Sequence, residues 1–402
     1  PRGLGPRAPG RRDDEGGPSR APGPAVTWLF WASVAWIVYA YAGYPVALAA
    51  LSLLRGRTVR RADVLPPLSV VVTVHNGAAE IRRKLSNLLE QDYPRDRMEI
   101  LVADDGSDDG TDRIVREEFS GLGVRLVRLE TRGGKERAQR NAVAAAGGEV
   151  LVFTDVGTLL DRRGLATIVR SFADPSVGAV SSEDRMLEDG GRPSGGESRY
   201  VSYEMKLRRL ESRIGSVVGL SGSFFAARRE VCEDFSDRLA SDFRTALLAV
   251  RLGFRAVADE EAIGFYRDVG RREDEFDRKV RTVVRGLTVL FAEISMSDPL
   301  RHGLFAWQLL SHKVGRWAVP FAMIGALASS GALAVESGRW AAAFVLQLAG
   351  YGLAFAAARP PLARLAPARA LRYLVETNLA ILVAWGRYVR GDRIVAWSPS
   401  AR

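Results

Sequence analysis

The sequence predicts an α/β domain whose mostly parallel sheet is covered by helices on both faces, joined to transmembrane and interfacial helices. Short apolar runs alternate with helical patterns between residues 68 and 155, and this alternation is typical of parallel sheets. Polar residues follow the apolar runs, at the strand ends where such sheets bind ligands. Long segments without a charged residue lie on both sides of this part. Each is long enough to cross about 30 Å of hydrocarbon as a helix.

Four apolar runs are predicted to be strands because they are short, rich in valine, leucine and isoleucine, and bounded by turn residues. They are LSVVVTV (68–74), MEILVADD (98–105), VRLVRL (124–129) and EVLVFTD (149–155). Helical patterns lie between them, at 78–91, 109–119 and 135–146. The carboxyl ends of parallel strands meet at one edge of the sheet, so the polar residues after these runs predict a ligand site there.

Three segments lack charged residues over the length of a membrane span. They predict a transmembrane helix at 25–54 and two more spans near 317–335 and 340–358. A shorter apolar segment predicts an interfacial helix near 371–390. Arginines follow the first span and mark its cytoplasmic end; they are Arg55, Arg57, Arg60 and Arg61.

The chain is therefore predicted to be a multi-pass protein of the bacterial inner membrane with a cytoplasmic catalytic domain at 55–275. The tail at 1–24 is rich in glycine, proline and arginine and is predicted to be disordered. Residues 276–314 are predicted to form amphipathic interfacial helices. The C-terminal membrane region is placed at 315–402.

The composition excludes some classes of site. The formal net charge is +10, which favours contact with anionic lipid headgroups, although a genome that encodes arginine for lysine explains part of it. The basic residues are scattered and no stacking motif accompanies them, which argues against nucleic-acid binding. Cys232 is the only cysteine, so intramolecular disulfides and cysteine zinc sites are excluded.

The run ILVADDGSDDGT (100–111) carries the strongest chemical signal. A strand ends in two carboxylates, and a Gly-Ser turn and a helix follow. Asp104 or Asp105 can accept hydrogen bonds from a uracil imide or a ribose hydroxyl, and Gly106 permits a tight turn. Aspartate and serine also begin helices routinely, so a simple helix cap is the alternative interpretation.

With its flanking segments, this motif resembles the family 2 glycosyltransferases of the GT-A fold. The resemblance extends to the membrane branch that includes cellulose, hyaluronan and poly-N-acetylglucosamine synthases and exopolysaccharide transferases. It rests on VVVTVHNGAAEIRRKLSNLLEQDYP (70–94), ILVADDGSDDGT (100–111) and RGGKERAQRNAVAAAGGEVLVFTD (132–155). It implies a set of residues that bind the nucleotide sugar: Val74, His75, Asn76, Asp104, Asp105, Lys135 and Arg281.

The run FTDVGTLLD (153–161) occupies the position of the family's D-x-D metal motif. The resemblance implies that Asp155 ligates Mg²⁺ or Mn²⁺ against the diphosphate, a task that suits a hard cation with oxygen ligands. Gly157 stands where the second carboxylate would be, so weaker metal affinity is expected. A strand that ends in aspartate and a glycine turn is the alternative.

Two further segments resemble the acceptor side of the family. GLSGSFFAARREV (219–231) implies acceptor binding by Ser221, Gly222 and Ser223, and Asp242 of SDF (241–243) matches the catalytic base. A helix cap is again compatible with Asp242. FDRKVRTVVRGL (276–287) lies where processive members carry Q-x-x-R-W, with Arg278, Arg281 and Thr282 at those positions. Arg278 is assigned to the acceptor, and the missing tryptophan leaves processivity open.

The predicted function is inverting transfer of a sugar, from a UDP-sugar by preference, to a growing polysaccharide or lipid-linked acceptor. A single addition to a polyprenyl-phosphate or other lipid is one alternative. A catalytically weak scaffold subunit of a polysaccharide-export complex is another, suggested by the missing carboxylate. The expected partners are the nucleotide sugar, the acceptor and membrane lipid, with export proteins or a second copy of the chain as further possibilities.

Overall fold

The computed structural model describes residues 23–186, 195–266 and 272–393. The predicted tail at 1–24 lies outside these ranges except for residues 23 and 24. Eight strands are present in the described ranges: β1 Leu68–Val74, β2 Met98–Asp104, β3 Val124–Arg128, β4 Val150–Asp155, β5 Leu159–Leu160, β6 Val177–Met186, β7 Phe224–Arg228 and β8 Arg255–Tyr266. The four predicted strands match β1 to β4 to within one residue at each end.

The strands form one sheet in the order β3-β2-β1-β4-β7-β6-β8-β5. β1 pairs in parallel with β2 and β4, β2 pairs in parallel with β3, and β6 pairs in parallel with β8. β7 is antiparallel to β4 and β6, and β5 is antiparallel to β8. The sheet is therefore mixed, and the prediction of parallel pairing holds without exception only for β1 to β4.

The position at which β7 begins explains its reversed direction. The N–H of Asp155, the last residue of β4, donates to the carbonyl of Ser223 at 3.1 Å. Residue 223 thus lies at the carboxyl end of β4, and the strand that starts from it must run back along β4. Alternation of strands and helices before residue 155 carries no information about this later segment.

Fourteen α-helices are described: α1 Pro24–Val38, α2 Tyr44–Arg55, α3 Ile81–Leu89, α4 Thr111–Ile114, α5 Lys135–Ala145, α6 Gly164–Val169, α7 Gly195–Ile214, α8 Arg229–Cys232, α9 Ser241–Arg251, α10 Arg272–Ala292, α11 Pro299–Leu309, α12 Gly315–Leu333, α13 Gly338–Ala356 and α14 Ala366–Val389. Three π-helical segments, Tyr39–Gly43, Val115–Phe119 and Leu310–Val314, continue α1, α4 and α11. Short 3-10 turns occur at Arg95–Arg97, Ser120–Leu122, Arg170–Ala173, Ile294–Ser297 and Leu362–Arg364.

The central strands are buried on both faces, as the continuous apolar runs predict. Along β1, Val70 and Val72 pack in one cluster with Leu85 of α3, whereas Val71 packs in another with Ala138 of α5. Side chains alternate between the faces of a strand, so the two clusters form separate cores above and below the sheet. Helices thus cover both faces.

One helix among the described residues is long and apolar enough to cross a membrane: the continuous segment Pro24–Arg55, with a mean hydropathy of 1.7. Helices α12 and α13 form close to the predicted second and third spans, but neither meets the same criterion of length and composition. Helix α14 is one continuous helix of 24 residues, longer than the predicted interfacial helix. Of the three predicted spans, one is thus a candidate membrane helix among the described residues, the segment Pro24–Arg55.

The arginines that follow α2 contact the sheet domain. Arg60 Nη2 donates to the carbonyl of Ala173 at 2.7 Å, and Arg61 Nε lies 3.1 Å from Asp259 Oδ2. The backbone N–H of Arg57 donates to the carbonyl of Arg213 at 2.7 Å. These bonds attach the end of the N-terminal helix to the domain.

Candidate active site

The loops after β1 and β2 are bonded to each other at the carboxyl edge of the sheet. The Asn76 N–H donates to the Ser107 hydroxyl at 2.9 Å, and the Asn76 side-chain oxygen accepts from the Asp108 N–H at 3.0 Å. His75 Nδ1 lies 2.8 Å from the carbonyl oxygen of Asp105. Asn76 has a φ of 52°, an uncommon value for a residue other than glycine, and such backbone strain clusters at functional sites.

Asp104 holds the loop after β2 in shape. Its Oδ1 accepts from the Ser107 N–H at 3.0 Å, and its Oδ2 lies 3.2 Å from Arg128 Nε. Gly106 turns the chain with a φ of 64°, and a Cβ there would lie 2.8 Å from the Arg132 nitrogen. Both carboxylate oxygens of buried Asp104 are therefore engaged within the protein.

Asp105 keeps one oxygen for a ligand. Its Oδ1 accepts from the N–H groups of Gly133 and Gly134 at 2.6 and 2.8 Å. Its Oδ2 is buried and has no hydrogen-bond donor within the described ranges, although Arg132 Nε lies 4.0 Å away. A buried carboxylate oxygen without a donor is costly, and a base N–H or ribose hydroxyl would satisfy it. This contrast favours Asp105 over Asp104 as the ligand-binding carboxylate.

Lys135 joins the end of β4 to the predicted acceptor segment. It begins α5, and its ammonium lies 2.6 Å from Asp155 Oδ1 and 3.0 Å from the carbonyl oxygen of Gly222. Lys135 and Asp155 are both at least nine-tenths buried. The structure thus brings together three of the predicted site residues from separate parts of the chain.

A second buried lysine, Lys84 of α3, holds the chain on both sides of Asp155. Its ammonium donates to Thr154 Oγ1 at 2.8 Å and to the carbonyl of Thr158. Burial lowers the pKa of Lys84 to about 7, and the charge of Asp155 opposes that shift. Lys84 was not predicted, because the run IRRKL (81–85) has the charge pattern of a solvent-exposed helix face.

The residues around Asp155 fit a divalent cation that is held chiefly by the substrate. In the described part of the chain, no group of three or more His, Cys, Asp or Glu side chains could hold a metal. Mg²⁺ is commonly bound through one or two carboxylates together with substrate phosphates, and Asp155 provides one carboxylate. The buried hydroxyl of Thr158, which has no hydrogen-bond partner among the residues that the structure describes, lies in the loop that follows Asp155 and is a further oxygen.

Asp242 lies in the first turn of α9, against the acceptor segment. A Cβ on Gly222 would lie 3.2 Å from Asp242 Oδ2, and the carbonyl of Asp242 accepts from the Leu220 N–H at 3.2 Å. The N-cap of α9 is Ala240, and no side chain caps that helix. The helix-cap interpretation of Asp242 therefore has no support, and a partly exposed carboxylate faces the backbone of Gly222.

A second carboxylate near Asp242 is not available for chemistry. Glu136 is buried and paired with the guanidinium of Arg285 on α10. Burial raises the pKa of Glu136, the Arg285 charge opposes this, and the nearby charge of Asp242 adds to it. Since Glu136 is buried and paired, Asp242 is the accessible carboxylate of the two.

The contacts of α10 differ from those predicted. Arg285, one turn beyond Arg281, makes the contact with Glu136. Burial, followed by repulsion from Arg285 and Arg278, lowers the pKa of half-buried Arg281. Three neighbouring guanidinium groups on one helix form a surface that suits a diphosphate.

The two serines of the acceptor segment are held by a residue that was not predicted. Ser221 Oγ and Ser223 Oγ donate to Asp184 Oδ1 of β6 at 2.7 and 2.6 Å. Gly222, between them, is partly exposed. Asp184 therefore shapes this segment, and Gly222 and Ser223 are its partly exposed positions.

The family model described as Glycosyl transferase family 2 matches residues 69–235. The match runs from β1 to just beyond α8 and contains Asp105, Lys135, Asp155 and Gly222. Residues 69–235 form a glycosyltransferase family 2 domain. The match confirms the predicted resemblance to family 2 over this range. The predicted domain bounds of 55–275 stay a prediction, and Asp242 and α10 lie beyond the matched range. We call the surface formed by Lys135, Asp155, Gly222 and Asp242 the crevice.

Curated relatives of the glycosyltransferase domain include enzymes named for different products. A β-monoglucosyldiacylglycerol synthase of Synechocystis sp. is 26% identical over 217 residues, which is 50% of this chain and 45% of the relative. A poly-β-1,6-N-acetyl-D-glucosamine synthase of Staphylococcus epidermidis is 25% identical over 169 residues, 42% of this chain and 40% of the relative. The chain thus spans less than half the length of these two relatives.

A solved structure resembles nearly the whole chain. The mannosyltransferase of Pyrobaculum calidifontis, in complex with GDP-mannose and Mn²⁺, has a TM-score of 0.66 and 28% identity. The similarity covers 88% of this chain and 99% of that one. The glycosyltransferase domain accordingly has the predicted α/β, GT-A-like fold, with a mixed sheet in place of the predicted mostly parallel one.

The roles assigned to individual residues remain predictions. The structure gathers Val74, His75, Asn76, Asp104 and Asp105 at one edge of the sheet and links Lys135, Asp155, Gly222 and Asp242 by contacts. Several contributors were not predicted; they are Lys84, Glu136, Asp184 and Arg285. Each makes its contact with a residue distant in sequence, so no local motif signals it.

Proposed function

We propose that the protein is an inverting glycosyltransferase that transfers a sugar from a nucleotide sugar to an acceptor hydroxyl at a membrane surface. The arrangement around Gly222 carries this proposal. Its carbonyl accepts from Lys135, which also pairs with Asp155, and Asp242 Oδ2 lies near its α-carbon. The lysine suited to the donor and the carboxylate suited to act as the base therefore both approach the same residue, Gly222.

The donor is held by the sheet edge and by basic side chains. Asp105 Oδ2 accepts from the base or ribose, and Lys135 and Arg281 bind the diphosphate. A divalent cation, when bound beside Asp155, neutralises charge that develops on the leaving diphosphate. Lys84 fixes the backbone on either side of Asp155 and so positions that carboxylate.

Transfer is a single displacement at the anomeric carbon. The acceptor hydroxyl oxygen forms the new bond to that carbon as the bond from the carbon to the diphosphate oxygen breaks. The nucleoside diphosphate leaves with the bonding electron pair, and the Asp242 carboxylate takes the hydroxyl proton. The product anomer is then inverted relative to the donor, which nuclear magnetic resonance of the released glycoside measures. Retention of configuration would overturn the mechanism.

The donor is proposed to be a UDP-sugar, with GDP-mannose as the alternative because the Pyrobaculum mannosyltransferase structure contains it. Thermal unfolding of the purified protein with Mn²⁺ and each of UDP-glucose, UDP-N-acetylglucosamine and GDP-mannose tests this. Ligand that binds only the folded state raises the midpoint, so one donor is expected to protect above the others. Absence of protection by all three, together with no release of nucleotide, would favour the scaffold hypothesis.

The membrane placement is proposed from the apolar surface of the helices. The segment Pro24–Arg55 is suited to span the bilayer, and Trp28 and Trp31 on it are more than half exposed. On α13, Leu346 and Phe355 are likewise exposed. Exposed apolar patches of this kind mark contact with lipid or protein, so α12 and α13 are proposed to lie in the membrane beside the first helix.

The acceptor is proposed to be a glycan or lipid-linked acceptor that reaches the crevice from the membrane. Phe243, next to Asp242, packs in one cluster with Leu309 of α11 and Trp317 of α12. The base therefore adjoins the membrane helices. Thr282 stands where processive relatives place a tryptophan, which favours a single addition over processive synthesis.

A further inference from the structure

We propose that Lys313 and Arg208 bind the phosphate of a lipid headgroup on the acceptor side of the crevice, beside Asp242. This inference rests on the proposed function and specifies its acceptor. The acceptor is a phospholipid that carries a phosphodiester close to the hydroxyl that attacks the sugar. The two cations are separate from the proposed donor-binding groups, which are Asp105, Lys135 and Arg281.

Lys313 reaches the backbone of the acceptor segment. A Cβ placed on Gly219 would lie 3.8 Å from both Cε and Nζ of Lys313. Its ammonium also lies 5.6 Å from the centre of the Phe243 ring, on the residue that follows Asp242. Lys313 and Gly219 are both partly exposed. Lys313 therefore lies beside Gly219 of the acceptor segment and beside Phe243, the neighbour of the proposed base.

Arg208 of α7 approaches the next residue of the same segment. Its guanidinium lies 3.4 Å from the Leu220 carbonyl oxygen and 3.4 Å from Ser181 Oγ. These long contacts leave most of its five donor groups unused. Arg208 and Lys313 thus approach two consecutive residues of the acceptor segment.

The carboxylates nearest to these cations are already paired. Glu204 accepts from Arg316 and lies 3.1 Å from His312 Nε2. Glu211 accepts from the Tyr44 hydroxyl and from His312, both at 2.6 Å. Although burial opposes it, the charges of Arg316 and His312 hold the pKa of Glu204 well below its usual range. Among the described residues, no carboxylate forms an ion pair with Lys313 or Arg208.

Lys313 and Arg208 carry the same charge and lie close enough to repel each other. Burial lowers the pKa of Lys313, the charges of Glu204 and Glu211 oppose this, and repulsion from Arg208 and Arg316 adds to it. Buried charges are ordinarily paired, and neither cation has an ion pair of its own among the described residues, so a bound anion would reduce the repulsion. A phosphate accepts hydrogen bonds from lysine and arginine together.

The location of Lys313 indicates that the phosphate comes from a lipid. It belongs to the π-helical segment Leu310–Val314, which leads directly into α12, one of the helices proposed to lie in the membrane. π-Helical turns often occur at functional sites. If α12 lies in the membrane as proposed, Lys313 at its start would lie near the phospholipid headgroups.

Lipid binding is measured on the full chain in neutral detergent by native mass spectrometry, with phosphatidylglycerol, phosphatidylcholine and diacylglycerol as probes. Wild type is expected to retain phosphatidylglycerol over diacylglycerol, and Lys313→Met and Arg208→Met to lose this preference by about 10- to 100-fold, as for a lost charge-assisted hydrogen bond. Lys313→Arg should keep it. Lys206→Met is the matched control, because it removes an exposed charge from α7, the helix that carries Arg208. Equal loss in the control, or none in either variant, overturns the site.

Transfer assays separate this site from the proposed function. Wild type is expected to add sugar to phosphatidylglycerol in mixed micelles, and Lys313→Met to lower kcat/KM for that lipid without changing the KM for the nucleotide sugar. If soluble glycerol 3-phosphate is used instead, the phosphate site stands and the lipid source is wrong. If diacylglycerol is used as well as phosphatidylglycerol, the proposed transferase stands and the phosphate site falls. If no donor is consumed, the proposed function fails, and the lipid-binding measurement still decides the site.

Discussion

Lys135 Nζ lies 2.6 Å from Asp155 Oδ1, and the same ammonium donates to the carbonyl of Gly222 at 3.0 Å. One side chain thus connects the proposed metal ligand to the acceptor segment. Because the ammonium is buried, both contacts are stronger than they would be in water. A change at any one of the three positions should therefore alter both donor and acceptor sides, which a two-substrate kinetic analysis can resolve.

Asp155→Ala is expected to nearly abolish transfer, because no neighbouring carboxylate can replace it beside the cation. Asp161 is the matched control: it is exposed and caps the turn at Arg163. Initial rates over a range of Mn²⁺ concentrations measure the effect. If Asp161→Ala loses activity while Asp155→Ala keeps it, the metal site has been assigned to the wrong residue.

Asp242→Asn is expected to lower the transfer rate by about 10²- to 10⁴-fold, the usual effect of removing a positioned general base. Affinity for the nucleotide sugar should stay near the wild-type value, because the donor is held by other residues. Paired rate and calorimetric measurements on the same variant test this, with Asp237→Asn as the control. If the variant binds the nucleotide sugar poorly, Asp242 belongs to the donor site. If the variant transfers sugar at the wild-type rate, Asp242 is not the general base.

Asp105→Asn is expected to affect nucleotide binding, and Asp104→Asn is expected to affect stability. Asp105→Asn should weaken nucleotide binding by roughly 10- to 100-fold, since the unengaged Oδ2 is proposed to accept from the ligand, and should change the unfolding temperature little. Asp104→Asn should lower the unfolding temperature, since it weakens a buried contact with Arg128. Calorimetry with UDP and thermal unfolding of both variants measure this. The reverse pattern would exchange their roles.

Lys84→Met is expected to change the dependence of stability on pH. The pKa of Lys84 falls from 10.5 to about 7 on folding, so between these values the unfolded chain binds one more proton than the folded chain. Stability from this group therefore rises with pH from about 7 to about 10.5 and is lowest below 7. Unfolding midpoints at pH 6.5 and 9 should shift further for wild type than for Lys84→Met. A difference between the two proteins that is independent of pH would contradict this.

The catalytic domain is expected to be cytoplasmic, because arginines follow the first apolar segment. Cysteine labelling in whole cells tests this in a Cys232→Ser background, with single cysteines at residue 110 and in the turn at 336–339. An impermeant reagent should label the turn and not residue 110. Labelling of residue 110 in intact cells would reverse the proposed topology.

Local sequence patterns predicted the strands β1 to β4. The run LSVVVTV (68–74) became β1 with the same bounds, because uninterrupted valines suit a strand buried on both faces. The polar residues after β1 and β2 were expected at the carboxyl edge of the sheet, and the bonds between the two loops place them there. The choice between Asp104 and Asp105 could not be made from the motif, because it depends on Arg128, which lies on a different strand.

Contacts between distant segments account for what the sequence did not reveal. His312 has no local motif that signals its contacts, and it is buried between Glu204 and Glu211. Lys84 has the charge pattern of a surface helix but points into the sheet. In both cases the polar partner comes from a separate element, and only the packed structure shows that the charge is satisfied there.

The bonds of Arg60 to Ala173 and of Arg61 to Asp259 attach the segment that follows the N-terminal helix to the domain. If that helix spans the bilayer as proposed, these bonds hold the crevice near the lipid surface and limit its reach toward acceptors. This attachment would then set the distance between the crevice and the bilayer. Only a hydroxyl presented at the matching distance from the bilayer would meet Asp242, so selection by length would accompany selection by charge.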